Sequence, residues 1–321
     1  MSVYTILLLI LGVVLVVAGS NYLVDGASDI ARRSGLSEFV IGLTIVGIGT
    51  STPEMVVSFL SSWRGNADMS VGNIVGSNIF NTYLILGITA VILPMAITAE
   101  NIRRDIPLNI LAATLLVCLG MNKFLFGIGE NELSRLDGAI MLVCFALYLY
   151  SCFRYGASHP SEPEEEIKHY KSVAVPIVMV IGGLAALIFG GRMFVDNATV
   201  LARHFGWSDK FIAITILAGG TSLPELATCV VAAFKKKGQL ALGNIIGSNI
   251  SNILLILGGS ALIHPLRLCG INPVDMGFVL LSTLFLLAAY FTFDKHKLDR
   301  TEGIALLALE GVYAYLLISA L

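Results

Sequence analysis

Two glutamates, Glu54 and Glu225, stand in near-copies of one short phrase, G-I-G-T-S-T-P-E and G-G-T-S-L-P-E, each inside an otherwise apolar stretch. Each follows a Thr-Ser pair, Thr50 and Ser51 or Thr221 and Ser222, and a proline, Pro53 or Pro224. A carboxylate at the centre of a bilayer costs on the order of 3 kcal/mol by insertion scales, so a positive partner has to offset it. No Lys or Arg falls in the central part of any apolar stretch, which leaves protons or bound cations. A second phrase, G-N-x-x-G-S-N-I, spaces Asn73, Ser77 and Asn81 at i, i+4 and i+8, and Asn244, Ser248 and Asn252 likewise, so each trio shares one helix face. Carboxylates, hydroxyls and amide oxygens together are hard donors. They suit Ca²⁺, which takes about six to eight oxygens, and they suit Na⁺. His159, His169, His204, His264 and His296 all fall in loops or at helix ends, so no set of softer ligands favours zinc, copper or iron.

These residues need elements to hold them at membrane depth. Of 321 residues, 56% are apolar and 13% charged, against about 45–50% and 25% in soluble chains. A water-soluble globule is excluded. Apolar stretches near 3–24, 36–62, 70–93, 105–121, 136–154, 173–195, 209–234, 240–263, 273–292 and 302–320 are each long enough to cross a hydrocarbon layer of about 30 Å. The expected fold is all-α and polytopic, with ten transmembrane helices. Pro53 and Pro224 each lack an N–H and obstruct the preceding turn, so the second and seventh helices should break near Thr50 and Thr221 and free backbone carbonyls. Such backbone is tolerated at depth only where it lines a cavity or is covered by protein.

The phrase from Gly72 to Gly87 overlies that from Gly243 to Gly258 with 12 of 16 positions identical, at an offset of 171. The same offset carries Asp25 onto Asp196, while Asp137-Gly138 matches Glu302-Gly303 at 165. The chain therefore divides into a first five-helix repeat, 1–154, an acidic linker, 155–172, and a second repeat, 173–321. An odd number of helices per repeat makes the second enter from the opposite face. Inverted repeats characterise secondary transporters, whose site lies between the halves near the midplane. With both termini outside, 13 of the 20 basic residues fall on the cytoplasmic face, as the positive-inside rule requires. The segment is then a solvated cytoplasmic linker, with calcium sensing by its run Glu162, Glu164, Glu165 and Glu166 the lesser reading. Asp25 and Asp196 read as capping or interface residues.

With these motifs in place, the chain resembles the cation/calcium antiporter superfamily, specifically its prokaryotic sodium/calcium exchanger branch. The resemblance covers essentially the whole chain. It implies four cation sites at the centre of ten helices, with the first and sixth helices sliding across the rest to alternate access. It implies Glu54 and Glu225 as principal Ca²⁺ and Na⁺ ligands, joined by Thr50, Ser51, Ser77 and Asn81 from the first half and Thr221, Ser222, Ser248 and Asn252 from the second. Carbonyls of Gly47 and Ala218 complete the implied set. Asn252 departs from the family pattern, where many members carry Asp, and this points away from K⁺ co-transport.

The activity expected is Na⁺/Ca²⁺ exchange by alternating access; the alternative is H⁺/Ca²⁺ antiport through the same glutamates. An intramembrane hydrolase would need a Ser-His pair, paired aspartates or a His-rich motif at depth, and none is present. No prosthetic group and no obligate protein partner are indicated; the partners expected are membrane lipid and inorganic cations. With 20 basic and 22 acidic residues the chain has no basic stripe for nucleic acid. Its size suits a prokaryotic inner membrane. Glu310, within the last apolar stretch, matches Phe145 in the first half and is expected to make an interhelical hydrogen bond in protonated form.

Overall fold

The computed structural model describes residues 3–127, 129–156, 172–205, 219–268, 270–292 and 296–319. Ala218, the start of the stretch expected at 209 and nearly all of the acidic linker lie outside these. The helices are α1 (Val3–Ser34), α2 (Glu38–Thr50), α3 (Thr52–Trp63), α4 (Ala67–Ile92), α5 (Ile106–Gly120), α6 (Arg135–Gly156), α7 (Ala174–His204), α8 (Leu223–Phe234), α9 (Gly238–Ile263), α10 (Pro273–Ala289) and α11 (Arg300–Ser319). Among the described residues, six are long and apolar enough to cross a membrane by themselves, and the bent pair α2 and α3 makes a seventh candidate.

Helices α1 and α7 run about ten residues beyond the ends at 24 and 195 that hydropathy suggests. The reason is that polar groups in those extra turns are satisfied within the helix. Asp29, fully buried, is bound by Arg32 and by Arg33 one turn on, and Asn197 Nδ2 donates to Met193 O at 2.7 Å. A run of apolar residues measures the membrane, whereas backbone hydrogen bonding decides where a helix stops.

The arrangement is polar inside and apolar outside. Leu7, Ile10, Val14, Val178 and Phe189 lie exposed on α1 and α7, while Thr50, Ser51, Glu54, Ser77, Ser222, Glu225 and Ser248 are all buried. Helix α9 is 94% buried over its most apolar stretch and α11 only 17%, so α9 forms the axis and α11 part of the rim. Contact along that axis depends on missing side chains. A Cβ on Gly247 would collide with the Leu43 carbonyl carbon at 2.6 Å, and nothing flexible stands there to yield. At the periphery α1 and α7 pack antiparallel through paired glycines. A Cβ on Gly12 would meet Gly190 O at 2.9 Å, and one on Gly19 would meet Gly183 O at 2.8 Å.

Two short ribbons tie the sequence halves together. Strand β1 (Met95–Ala96) pairs antiparallel with β4 (Lys297–Leu298), and β2 (Glu132–Leu133) with β3 (Leu266–Arg267). The 171 offset carries β1 onto β3, and the 165 offset carries β2 onto β4, so each ribbon joins non-equivalent strands from opposite halves. The helices that follow are capped alike. Ser134 N donates to Asp137 Oδ2 at 2.8 Å, and its counterpart Asp299 N donates to Glu302 Oε2 at 2.7 Å.

Gly247→Ala is expected to lower the melting temperature in detergent sharply, by the roughly 1–3 kcal/mol that overpacking costs. Gly311→Ala, where a Cβ meets nothing within 4 Å, should be neutral or slightly stabilising. Thermal unfolding of both variants beside the parent checks the contrast.

Candidate functional site

The chain turns out of helical geometry at equivalent serines. Ser51 (φ −77°, ψ 9°) separates α2 from α3, and Ser222 (φ −86°, ψ 7°) precedes α8. Pro53 and Pro224 fall in the first turn that follows, where a missing N–H is harmless. The axes of α2 and α3 differ by 47°, confirming the break expected at Thr50. The carbonyl freed by Pro53 is not left for an ion, however. Gly49 O accepts from Thr52 Oγ1 at 2.7 Å. Glu54 and Glu225 thus occupy the first turns of α3 and α8, at the positive end of each helix dipole.

The two serine turns exchange hydrogen bonds crosswise. Ser51 Oγ donates to Glu225 Oε1 at 3.0 Å, and Ser222 Oγ donates to Glu54 Oε1 at 3.1 Å. Ser77 Oγ stands 3.4 Å from the same Glu54 oxygen and 3.3 Å from Ser222 Oγ. Ser248 Oγ donates to Gly47 O at 3.0 Å, and Thr50 Oγ1 lies 3.4 Å from Gly47 O and 3.1 Å from Asn244 Oδ1. Asn73 supports the first carboxylate from behind, with Nδ2 3.3 Å from Glu54 O and 3.2 Å from Ser58 Oγ. Its counterpart Asn244 turns Nδ2 toward Cys229 Sγ at 3.2 Å.

Four amides lock α4 to α9 and fix the orientation of one another's oxygens. Asn252 Nδ2 donates to Asn78 Oδ1 at 3.0 Å, and Asn81 Nδ2 donates to Asn249 Oδ1 at 3.2 Å. Asn78 Nδ2 donates to Asn249 O at 3.1 Å and Asn249 Nδ2 to Thr82 Oγ1 at 2.9 Å. With the donors of Asn81 and Asn252 committed, their Oδ1 atoms remain. Those two oxygens, together with Glu54 Oε2 and Glu225 Oε2, are buried and lack any hydrogen-bond partner, and Thr221 Oγ1 is a fifth buried, unpartnered oxygen. Unsatisfied buried acceptors are rare and call for an explanation. Here two of the residues carrying them come from the first sequence half and three from the second, and their chemistry fits a hard cation.

The structure therefore brings Glu54, Glu225, Thr50, Ser51, Ser77, Ser222, Ser248 and the Gly47 carbonyl into hydrogen-bonded contacts, whereas Asn81 and Asn252 bond to Asn249 and Asn78 and not to these groups. Asn78 and Asn249 escaped the sequence reading because they sit one position off the shared face of Asn73, Ser77 and Asn81. The signal was present, since both are the Asn of G-S-N and stand 171 apart. A widened helical turn begins at each of the amides Asn81 and Asn252, over Asn81–Leu86 and Asn252–Leu257; such turns recur at functional sites. The hydrogen bond expected for Glu310 does not form. Its Oε2 is buried and unpartnered, because the nearby hydroxyls are used elsewhere: Tyr83 on Phe278 O at 2.9 Å and Tyr313 on Asp275 Oδ1 at 3.1 Å.

Asn78→Ala is expected to strand the buried Asn252 Nδ2, at a cost of about 1–3 kcal/mol, and to loosen the orientation of Asn252 Oδ1. Thermal unfolding with and without Ca²⁺ should give a lower melting temperature and a smaller Ca²⁺-induced rise than in the parent. An unchanged rise would separate the amide lock from ion binding.

Comparison with known proteins gives the family. The profile of the sodium/calcium exchanger protein family matches residues 4–154 and 175–319. Inner membrane protein YrbG of Escherichia coli is 38% identical, with 80% of this chain and 79% of that one covered. Sodium/calcium exchanger MaX1 of Methanosarcina acetivorans is 32% identical over 94% of this chain and 95% of that one. The sodium-calcium exchanger NCX_Mj, soaked with 10 mM Na⁺ and no Ca²⁺, superimposes with a TM-score of 0.85 at 32% identity, covering both chains completely. The chain is a membrane protein of the sodium/calcium exchanger family.

Proposed function

We propose that this protein is a secondary antiporter that exchanges Ca²⁺ for Na⁺ at one shared site, with ten membrane crossings arranged as two inverted five-helix repeats. The observation that carries the reading is the set of buried, unpartnered oxygens Glu54 Oε2, Glu225 Oε2, Asn81 Oδ1 and Asn252 Oδ1. Ligation then falls to these atoms with the hydroxyls of Thr50, Ser51, Ser77, Thr221, Ser222 and Ser248 and the carbonyls of Gly47 and Ala218. The antiparallel crossing of α1 and α7, which are equivalent under the 171 offset, supports the inversion. The basic residues favour both termini outside an inner membrane, and the relative YrbG is named an inner membrane protein.

Exchange follows from charge. Two carboxylates in a low-dielectric interior cannot cross uncompensated, so α1 and α7 can slide over the site only when it is neutralised. One Ca²⁺ balances both carboxylates, and so do two monovalent ions. Because Na⁺ and Ca²⁺ claim the same oxygens, each leaves only when the other replaces it, and a ligand shifts the access equilibrium only by its preference for one state.

The deciding experiment is radioactive Ca²⁺ uptake into proteoliposomes loaded with Na⁺, beside vesicles carrying only a pH gradient. Uptake driven by Na⁺ and lost in Glu54→Gln and in Glu225→Gln is the expected result; uptake driven by the pH gradient alone would replace Na⁺ by H⁺ as the counter-ion. Asn252→Asp removes the donor to Asn78 and adds a third carboxylate. It should alter competition among Na⁺, K⁺ and Ca²⁺ in the same assay without abolishing uptake, and identical competition curves would dissociate Asn252 from selectivity.

A further inference from the structure

The offset of 171 pairs Asp25 on α1 with Asp196 on α7, and Arg64, which follows α3, with Lys235, which follows α8. Equivalent sequence does not give equivalent contacts. Lys235 Nζ donates to Asp25 Oδ1 at 2.6 Å and to Asn21 O at 3.3 Å, with the two side chains 28% and 40% exposed. This tie joins a peripheral helix to the end of the helix that carries Glu225. The matching tie, Asp196 to Arg64, is not made. Asp196 is 68% exposed, and its only cationic neighbour among the described residues is Arg192 on its own helix, at 4.0 Å. Arg64 instead borders an open cavity of about 640 Å³.

We infer that Asp25–Lys235 and Asp196–Arg64 are alternating latches, each holding α1 or α7 against the end of one glutamate-bearing helix, of which only the first is closed in this conformation. The inference rests on the inverted-repeat exchange reading. When two copies of one fold contact each other differently, exchanging those contacts generates a second conformation of the same chain, and inverted repeats alternate access in this manner. In that second conformation Asp196 reaches Arg64 while Asp25 releases Lys235. The latch biases a balance set by the ions. A part-exposed ion pair is weak, so losing one should move the population about two- to fivefold, enough to tune access without trapping either state.

The test reads the open latch directly. In purified protein bearing R64C/D196C, disulfide formation under copper-phenanthroline oxidation is followed by mass spectrometry of the linked peptides. Adding K235D, which sets like charges at the closed latch, should raise the yield about two- to fivefold, and the charge-swapped combination D25K/K235D should return it to the starting level. A yield indifferent to K235D, or raised equally by K235D and by the swap, overturns the latch. Na⁺-driven Ca²⁺ uptake by the parent protein is measured in parallel. An unresponsive disulfide in a chain that exchanges ions sinks the latch alone, and a responsive one in a chain that does not exchange upholds the latch while sinking the exchange reading.

Discussion

The described structure is arranged around two carboxylates that no cationic side chain accompanies among the described residues. Glu54 and Glu225 each keep one oxygen, Oε1, on a serine hydroxyl from the opposite sequence half, and each leaves Oε2 without a partner. A permanent Lys or Arg would satisfy the charge and fill the site at once. In the proposed exchange the charge is met from solution, and every surrounding group has to stabilise it without neutralising it. Helix dipoles and hydroxyls do so, because they lower the cost of a negative charge while staying neutral themselves.

The same constraint explains why the amides are locked. An asparagine beside a cation site could present either its oxygen or its NH₂ group, and only the oxygen helps. Asn81 and Asn252 are each prevented from turning by an acceptor on the opposite helix, Asn249 or Asn78. Cross-helix amide bonds of this kind are modest in energy within a membrane, so their value here lies in fixing orientation. They also require α4 and α9 to approach closely, and on the α9 side that approach continues to α2 through Gly247. Site and packing are consequences of one geometry.

Much of this was legible in the residues. Twofold repetition of G-T-S-x-P-E and G-N-x-x-G-S-N-I located both carboxylates, the helix break at Ser51, the turn at Ser222 and the hydroxyls that meet them, because polar residues in apolar stretches have few structural reasons to recur. Hydropathy misplaced the ends of α1 and α7, since it counts apolar residues and is blind to Asp29 satisfied by arginines of its own helix. Spacing at i, i+4 and i+8 also hid Asn78 and Asn249, because it follows a single helix face and both lie one position off it in regular helix. The freed Gly49 carbonyl was misjudged for a similar reason: a neighbouring threonine hydroxyl competed for it.

Symmetry in the site and asymmetry at its edges belong together. The central contacts obey the repeat closely, with serine to glutamate and amide to amide crossing between halves in both senses. The edge contacts of Asp25 and Asp196 do not. Under the proposed alternating-access exchange, a site that takes the same ions from either face gains from being equivalent toward both, whereas the elements that decide which face is open must differ at any instant. Glu310 violates the repeat in another way, since its counterpart is Phe145 and no group satisfies its buried oxygen. It lies outside the exchanged contacts, so it breaks the equivalence of the two halves permanently, where the latch breaks it only in turn.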